Sequence, residues 1–166
     1  MDTRAAADRA AAIILERAGR EPSVGVICGT GFAPCTDVLE DRVTIPFEDL
    51  GFRPSAIPDH VNEIDVGGLD GVTVAAVKAK VLPCDDATWQ ESGLPARTLA
   101  CAGCRTLLYS ANSGSMREDV PPGSFLAFTD LINFSGFNPL SVERFGQGWD
   151  TPYLSMAELY EASLTN

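Results

Sequence analysis

A short apolar strand pattern that leads directly into a glycine turn is the feature that most limits how this chain can fold. Residues 23–28 read Ser-Val-Gly-Val-Ile-Cys and are followed at once by Gly29, Thr30 and Gly31. The run predicts a buried β-strand that ends in a tight turn, and Pro34 can open a short helix after it. Such a turn lets backbone N–H groups and a hydroxyl converge on an anion. A turn that needs glycine only for its conformation explains the same residues equally well.

Helix and strand patterns alternate along the rest of the chain. The alanine-rich segment Thr3–Ala18, with Gly19 as a stop, predicts a helix. Further strands are predicted at 43–47, 63–66, 72–81, 106–111 and 125–131, a helix at 94–104, a long loop at 133–153 and a last helix from Ser155. The glycine-rich turn between 63–66 and 72–81 predicts a hairpin. This alternation predicts an α/β fold with a mostly buried sheet, in a single domain that spans residues 1–166.

The charge balance restricts the partners of the chain. It has 23 acidic against 12 basic residues and a formal net charge of −11. Nucleic acid and anionic membranes both require a basic surface, so the sequence predicts neither as a partner. An anionic ligand would need a locally positive site. The sequence contains no apolar run of the roughly 20 residues that span a bilayer. Its N-terminus lacks the order of a secretory signal, which predicts a cytoplasmic protein.

The cysteines do not indicate a disulfide framework. There are five, an odd number, at scattered spacings. Cys101 and Cys104 form a C-x-x-C pair near the end of a predicted helix, and the sequence has no second pair to complete a zinc site. We therefore interpret them as buried apolar thiols. The sequence predicts no metal and no cofactor.

Polar residues near strand ends are the other candidates for chemistry. His60, the only histidine, lies in a proline-flanked loop before a strand. Lys80 stands near the end of the segment 72–81, and Asp85 follows a proline just after it. The small polar loop 110–115 follows another strand, where open α/β sheets place ligands. A surface histidine and a solvated strand end explain these residues without any function.

These segments, in this order, resemble one enzyme family. The matching sequences are V-I-C-G-T-G-F at 26–32, V-T-I-P-F-E-D at 43–49, I-P-D-H at 57–60, G-G-L-D-G at 67–71, F-N-P-L at 137–140 and E-R-F-G at 143–146. The chain is therefore similar to the trimeric purine nucleoside phosphorylase and methylthioadenosine phosphorylase family. The resemblance runs from about Val24 to Tyr160. It implies a three-layer nucleoside-phosphorylase-like α/β fold with a mixed central sheet.

The resemblance also implies roles for single residues. Thr30 matches the serine of the family's phosphate loop, between Gly29 and Gly31, and His60 matches a phosphate-site histidine. The family's G-R-x-H-x-Y-E-G motif aligns without gaps to residues 79–86. The remaining correspondences are Lys80 for the phosphate-binding arginine, Leu82 for the histidine, Cys84 for the tyrosine near the ribose, Asp85 for the glutamate, Asn112 and Ser113 for part of the N-A-A-G loop, and Phe137 or Phe134 for an aromatic residue lent by a neighbouring subunit.

The departures from the family pattern predict a change of activity. Lys80 keeps the charge of the arginine but not its bidentate fork. Losing one well-placed electrostatic stabiliser costs about 100- to 1000-fold in rate, and here an arginine, a histidine and a tyrosine change together. The segment that carries the family's base-binding residues is also expected to be missing from this C-terminally truncated chain. The resemblance therefore predicts that the protein is not a competent purine nucleoside phosphorylase.

Three functions follow from these observations. The leading hypothesis is a repurposed enzyme that acts on a small metabolite, which need not be a nucleoside, in a biosynthetic pathway, with His60 and Asp85 in acid–base chemistry. The site would also use Gly29, Thr30, Gly31, Lys80, Cys84, Asn112, Ser113 and Phe137 for its ligand or for an anion. The alternatives are a non-catalytic ligand-binding or assembly protein and a residual purine nucleoside phosphorylase or hydrolase. A homo-oligomer is expected, and a trimer by resemblance alone.

Overall fold

The computed structural model describes residues 2–58, 60–82, 85–136 and 159–165. The chain divides into two compact units, 1–112 and 113–166. The first unit holds the sheet and its helices. The prediction that the chain forms a single domain stays a prediction.

Helix α1 spans Thr3–Ala18, as the sequence predicts. The side chain of Asp2 accepts a hydrogen bond from the Ala5 N–H and caps the first turn. Gly19 ends the helix in the left-handed region at φ 63°, and its N–H donates to the carbonyl of Leu15. Both ends of α1 are therefore fixed by residues within one turn of it.

Five strands of the first unit form one mixed sheet. They are β1 Val24–Ile27, β2 Glu40–Pro46, β3 Glu63–Leu69, β4 Val72–Val77 and β5 Thr106–Tyr109, in the order β2-β3-β4-β1-β5. β1 runs parallel to both β4 and β5, whereas β2, β3 and β4 are antiparallel neighbours. The predicted α/β fold with a mixed central sheet and the predicted β3–β4 hairpin are both confirmed. The carboxyl ends of three adjacent parallel strands meet at one edge, which is where the candidate site lies.

Helical segments connect these strands. They are a 3-10 helix Ala33–Val38, α2 Phe47–Leu50 and α3 Trp89–Cys101, and the second unit contains α4 Ala162–Thr165. α3 begins five residues before the predicted start at Leu94. Thr88 accepts a hydrogen bond from the Glu91 N–H, and the Glu91 carboxylate accepts one from the Thr88 N–H. This capping box starts the helix, so Pro95 lies inside it rather than at its beginning.

Helical segments pack on both faces of the sheet. A Cβ added at Gly25 would meet Leu99 of α3 at 3.0 Å, so Gly25 faces α3 and allows the close approach. Cys28, three residues further on, has its Sγ 3.7 Å from that of Cys35 in the 3-10 helix. Because successive residues of an extended chain point to opposite faces, the 3-10 helix lies against the face opposite α3.

The predicted strand at 125–131 is wrong. In the second unit, the described residues from 113 to 136 form turns and bends but no strand. Phe125 is 84% exposed and Phe128 is 48% exposed. A β-branched and aromatic pattern becomes a strand only where a neighbour completes its hydrogen-bond ladder. Most of the predicted loop at 133–153, and the predicted helix start at Ser155, fall outside the described residues.

Candidate functional site

The loop after β1 requires glycine at two positions for different reasons. The Gly29 N–H donates to the Ser110 hydroxyl at 2.7 Å. A Cβ on Gly29 would lie 2.8 Å from the Ser110 carbonyl oxygen, a distance that Cβ atoms essentially never show. Gly31 adopts φ +83° in open space, so only its backbone conformation demands glycine. At Gly29 the loop therefore packs against the residues that follow β5. At Gly31 it has free space around it.

A hydroxyl–imidazole pair lies at the exposed side of this loop. The Thr30 Oγ1 is 3.1 Å from the Nε2 of His60. On the other side of the ring, Nδ1 is 2.9 Å from the Ser55 Oγ. Because Ser55 is buried and holds Nδ1, the second ring nitrogen is left facing Thr30. The imidazole is thus fixed at both nitrogens, and its orientation does not depend on a ligand.

Asp85 is connected to the Thr30–His60 pair through Ser55. Its Oδ1 accepts the Ala56 N–H at 2.8 Å and lies 3.5 Å from the Ser55 Oγ, while its Oδ2 accepts the Leu82 N–H at 2.9 Å. Hydrogen bonds from the N–H groups of Leu82 and Ala56 hold the pKa of the Asp85 carboxyl below its usual range, so it is a carboxylate at neutral pH. Thr30, His60, Ser55 and Asp85 therefore form one continuous polar chain.

Ser55 is the residue of this chain that the sequence did not single out. Its N–H donates to the Asn62 Oδ1 at 2.8 Å, and the Asn62 amide donates back to its carbonyl at 3.2 Å. This reciprocal pair fixes the loop that carries His60. Ser55 precedes His60 by five residues in the same proline-flanked loop, and that proximity was the one signal that could have found it.

Lys80 contacts the end of β5 rather than the loop tip. Its ammonium group donates to the Ser110 carbonyl and lies 4.0 Å from the ring centroid of Tyr109. Burial lowers the pKa of Lys80 from its ordinary value. The cation–π contact and the carbonyl offset part of the cost of burying this charge. The lysine therefore contributes positive charge near Gly29 but ties its ammonium to Ser110.

The remaining predicted residues divide into three groups. The Asn112 side-chain amide donates to the Thr30 carbonyl at 3.1 Å, so it holds the loop in place. Ser113 is exposed and begins the second unit. Cys84 and Phe137 lie outside the described residues. The first unit thus brings together Gly29, Thr30, Gly31, His60, Lys80, Asp85 and Asn112.

Neither a metal site nor a membrane helix is found in the described parts of the chain. No three His, Cys, Asp or Glu side chains among residues 2–58, 60–82, 85–136 and 159–165 are grouped to hold a metal ion. Within the same ranges, every helix is too short or too polar to cross a bilayer. Cys101 and Cys104 are free and half-buried rather than fully buried as expected. Burial raises the pKa of Cys101, and raises that of Cys104 to about 11.

The fold and the site together define a class of protein. It is an α/β protein with a mixed sheet and a polar site, built on a glycine loop, at the carboxyl ends of its parallel strands. Residues 23–166 match the Phosphorylase superfamily, and the chain belongs to this family.

Curated relatives narrow the comparison. The chain is 29% identical over 134 residues to purine nucleoside phosphorylase 1 of Bacillus subtilis. The aligned segment covers 80% of this chain and 49% of that protein. It is 29% identical over 161 residues to purine nucleoside phosphorylase of Anopheles gambiae, covering 93% of this chain and 44% of that protein. The chain thus spans about half the length of the curated relatives it matches.

Solved structures have the same fold. Isoform 2 of purine nucleoside phosphorylase from Schistosoma mansoni, in complex with cytosine and ribose-1-phosphate, superposes with a TM-score of 0.85 at 25% identity, covering 95% of this chain and 56% of that one. The Schistosoma mansoni enzyme in complex with inosine gives a TM-score of 0.84 at 22% identity, with 96% and 57% coverage.

Proposed function

We propose that the first unit carries the phosphate-binding part of a nucleoside-phosphorylase-type site whose substrate class is a purine nucleoside. The observation that carries this proposal is the contact of 3.1 Å between the Thr30 hydroxyl and the His60 imidazole at the edge of a glycine loop. Family membership and the purine nucleoside phosphorylases among the relatives support the same substrate class.

The donors at the loop suit an oxyanion. Within the described part of the chain, the N–H groups of Thr30 and Gly31 donate to no other group, so they are available to a ligand. In the tautomer that carries its proton on Nε2, the His60 ring donates to the Thr30 oxygen and leaves the hydroxyl proton for the anion. The Nδ1 of that tautomer accepts from Ser55, whose Oγ lies 3.5 Å from the Asp85 carboxylate. A chain with net charge −11 needs such local donors to bind an anion at all.

Each residue then has a part in phosphorolysis. A phosphate oxygen attacks the anomeric carbon of the nucleoside, the bond from that carbon to the base breaks, and the base leaves with a proton from solvent. The Thr30 hydroxyl and the N–H groups of the loop hold the phosphate for this attack, His60 orients the Thr30 hydroxyl, and Asp85 lies beside the Ser55 hydroxyl that holds His60. Lys80 supplies positive charge without a bidentate fork, and a histidine and a tyrosine of the family motif are replaced as well, so we expect a rate at least about 100- to 1000-fold below that of a site with the complete set of donors.

Phosphate binding is the direct test. Titration calorimetry with inorganic phosphate should show saturable binding to the full chain. Thr30→Val should weaken it about 10- to 100-fold, because a hydrogen bond to a charged ligand contributes about 1.5–3 kcal/mol. His60→Asn acts through the Thr30 hydroxyl and should weaken it about three- to tenfold, in line with a net hydrogen bond of about 0.5–1.5 kcal/mol. Thr73→Val is the matched control, since Thr73 lies on β4 at the opposite end of its strand from the loop. Equal loss in all three variants, or no binding in the parent chain, contradicts the proposal.

Turnover is tested separately. Inosine with inorganic phosphate should yield free base and ribose 1-phosphate, slowly, and neither product should form when phosphate is withheld. Base released equally without phosphate would indicate hydrolysis instead of phosphorolysis. Phosphate binding without any turnover would assign the chain to the non-catalytic alternative, a ligand-binding protein.

A second candidate function is acid–base catalysis on a small metabolite other than a nucleoside, in a biosynthetic pathway. The contact of Lys80 with Ser110 and Tyr109 favours it, because that positive charge is engaged away from the loop tip. It predicts turnover that is independent of phosphate and is lost in His60→Asn and in Asp85→Asn. Unchanged turnover in both variants would contradict this second candidate function.

A further inference from the structure

Two cysteines face each other across the loop that holds Thr30. Cys28 follows β1 directly, and Cys35 lies in the 3-10 helix Ala33–Val38. Their Sγ atoms are 3.7 Å apart, which is contact distance for two thiols. Between them run the six residues 29–34, which include the glycine loop of the candidate site.

The two thiols differ in access. Cys28 is 1% exposed, whereas Cys35 is exposed to solvent. Burial, followed by the proximity of Cys35, raises the pKa of the Cys28 thiol to about 12, so Cys28 is a neutral thiol at physiological pH. An oxidant in solution therefore meets Cys35 first, with Cys28 behind it in position to react second.

We propose that Cys28 and Cys35 form a reversible disulfide that closes the segment 29–34 into a small ring and restrains the anion loop. A disulfide needs an S–S distance of about 2 Å, so the exposed Cys35, on its short 3-10 helix, has to move toward Cys28 from the present 3.7 Å. The proposal that this disulfide forms does not depend on the proposed function. Only its effect on anion binding rests on the proposed function.

The chemistry balances with a peroxide as the oxidant. The Cys35 thiolate attacks one peroxide oxygen, the O–O bond breaks, and the sulfur becomes a sulfenic acid while hydroxide leaves and takes up the thiol proton as water. The Cys28 sulfur then attacks the sulfenic sulfur and gives up its proton, and the S–O bond breaks to release a second water. Two thiols and one peroxide thus become one disulfide and two waters. A small dithiol reverses the step by exchange.

Cleavage by trypsin isolates the pair. Arg20 and Arg42 are the basic residues that bound the segment 21–42, which contains Cys28 and Cys35 and no other cysteine. After mild peroxide and alkylation, mass spectrometry should find this peptide without alkyl groups and lighter than the reduced peptide by two hydrogens. Prior treatment with dithiothreitol should restore two alkylated cysteines.

Matched variants give the controls. Cys35→Ser removes the exposed partner with little risk to folding and should abolish the mass change. A Cys101→Ser/Cys104→Ser double variant, which changes the C-x-x-C pair, should retain it. A segment 21–42 that keeps both thiols, or that oxidises at Cys35 to sulfinic acid without a disulfide, overturns the proposal.

A second readout tests the effect on the loop. Oxidation should weaken phosphate binding at least several-fold in the parent chain and leave it unchanged in Cys35→Ser. A disulfide with unaltered phosphate affinity overturns the proposed restraint of the loop. If the reduced chain binds no phosphate, the proposed function fails, and the mass measurement still decides the disulfide.

Discussion

At the scale of residues, Gly29 and Gly31 stand two positions apart, yet glycine is needed at each for a separate reason. The first is limited by space, since the Ser110 carbonyl oxygen would lie 2.8 Å from an added Cβ. The second is limited by backbone conformation, since it adopts φ +83° with nothing within 4 Å of an added Cβ. The two substitutions should therefore have different consequences.

Gly31→Ala should cost about 1 kcal/mol of folding free energy, the typical penalty for an L-residue in the left-handed region. Gly29→Ala should cost more and also displace the chain around Ser110, because backbone must move. Urea denaturation measures both, and phosphate titration reports the loop. A milder effect at Gly29 than at Gly31 would contradict the packing described here.

Ser55 should act through His60 rather than on a ligand directly. Ser55→Ala removes the hydroxyl that holds Nδ1, so we expect phosphate binding to weaken about three- to tenfold, in line with a net hydrogen bond of about 0.5–1.5 kcal/mol. Ser55→Thr keeps a hydroxyl and should retain most of the binding. Ser23→Ala, at an exposed position, is the control. Binding that is weakened equally in Ser55→Thr and Ser55→Ala would indicate only a structural role.

At the scale of elements, β2, β3 and the end of β4 are joined by a buried charge cluster. Asp65 of β3 is fully buried, accepts a hydrogen bond from Thr44 at 2.6 Å and lies 3.2 Å from the ammonium of Lys78. Burial opposes its ionisation, but the hydrogen bond from Thr44 and the positive charge of Lys78 outweigh that cost and hold the pKa of Asp65 below its ordinary value. A carboxylate with a lowered pKa stabilises the fold above its unfolded pKa, and that stability is lost as the pH falls.

Removing one member of the cluster should therefore be costly. Asp65→Ala should lose about 1–3 kcal/mol of unfolding free energy at pH 7, because the Thr44 hydroxyl loses its acceptor and Lys78 keeps only Glu63, 3.0 Å away, as a partner. Asp65→Leu combined with Lys78→Met should recover most of that loss, because packed apolar residues replace a buried ion pair well.

The same cluster predicts the response to acid. The parent chain should lose stability as the pH falls below about 4, the unfolded pKa of an aspartate, and through the lowered pKa of Asp65. The Asp65→Leu/Lys78→Met variant should lose less over that interval. Urea denaturation at a series of pH values measures the difference, and identical slopes would show that Asp65 does not contribute.

At the scale of the whole molecule, β5 is the edge strand of the sheet that the described residues form, and its apolar side chains are exposed there. It is the last strand in the order β2-β3-β4-β1-β5, and Leu107, Leu108 and Tyr109 are 45%, 51% and 60% exposed. An edge strand with exposed apolar side chains offers unpaired backbone groups and apolar area to another chain. We therefore expect the protein to associate with itself, and a trimer remains the prediction from resemblance.

Sedimentation velocity over a range of concentrations tests this association. Leu108→Lys should shift the distribution toward monomer while leaving the helix content measured by circular dichroism unchanged. Val38→Lys, at a side chain that is 63% exposed on the 3-10 helix, should have no effect. A parent chain that is monomeric at every concentration would contradict the expectation.

The sequence by itself determined the elements whose signals are local. α1 begins and ends where Asp2 and Gly19 place its caps, and the apolar run before Gly29 gives β1 and its turn. Thr88 and Glu91 were a local signal too, although the helix they start was predicted to begin later. The resemblance to the family implied that Thr30 and His60 belong to one site, and the structure places the two side chains 3.1 Å apart.

Only the tertiary structure decided which distant polar groups meet. It joins Gly29 to Ser110, 81 residues away, and it turns Lys80 toward Ser110 and Tyr109. It also leaves 125–131 without a strand, because a strand needs a partner for its ladder. Caps and turns are bonds between residues a few positions apart, whereas these contacts depend on how the whole sheet is assembled.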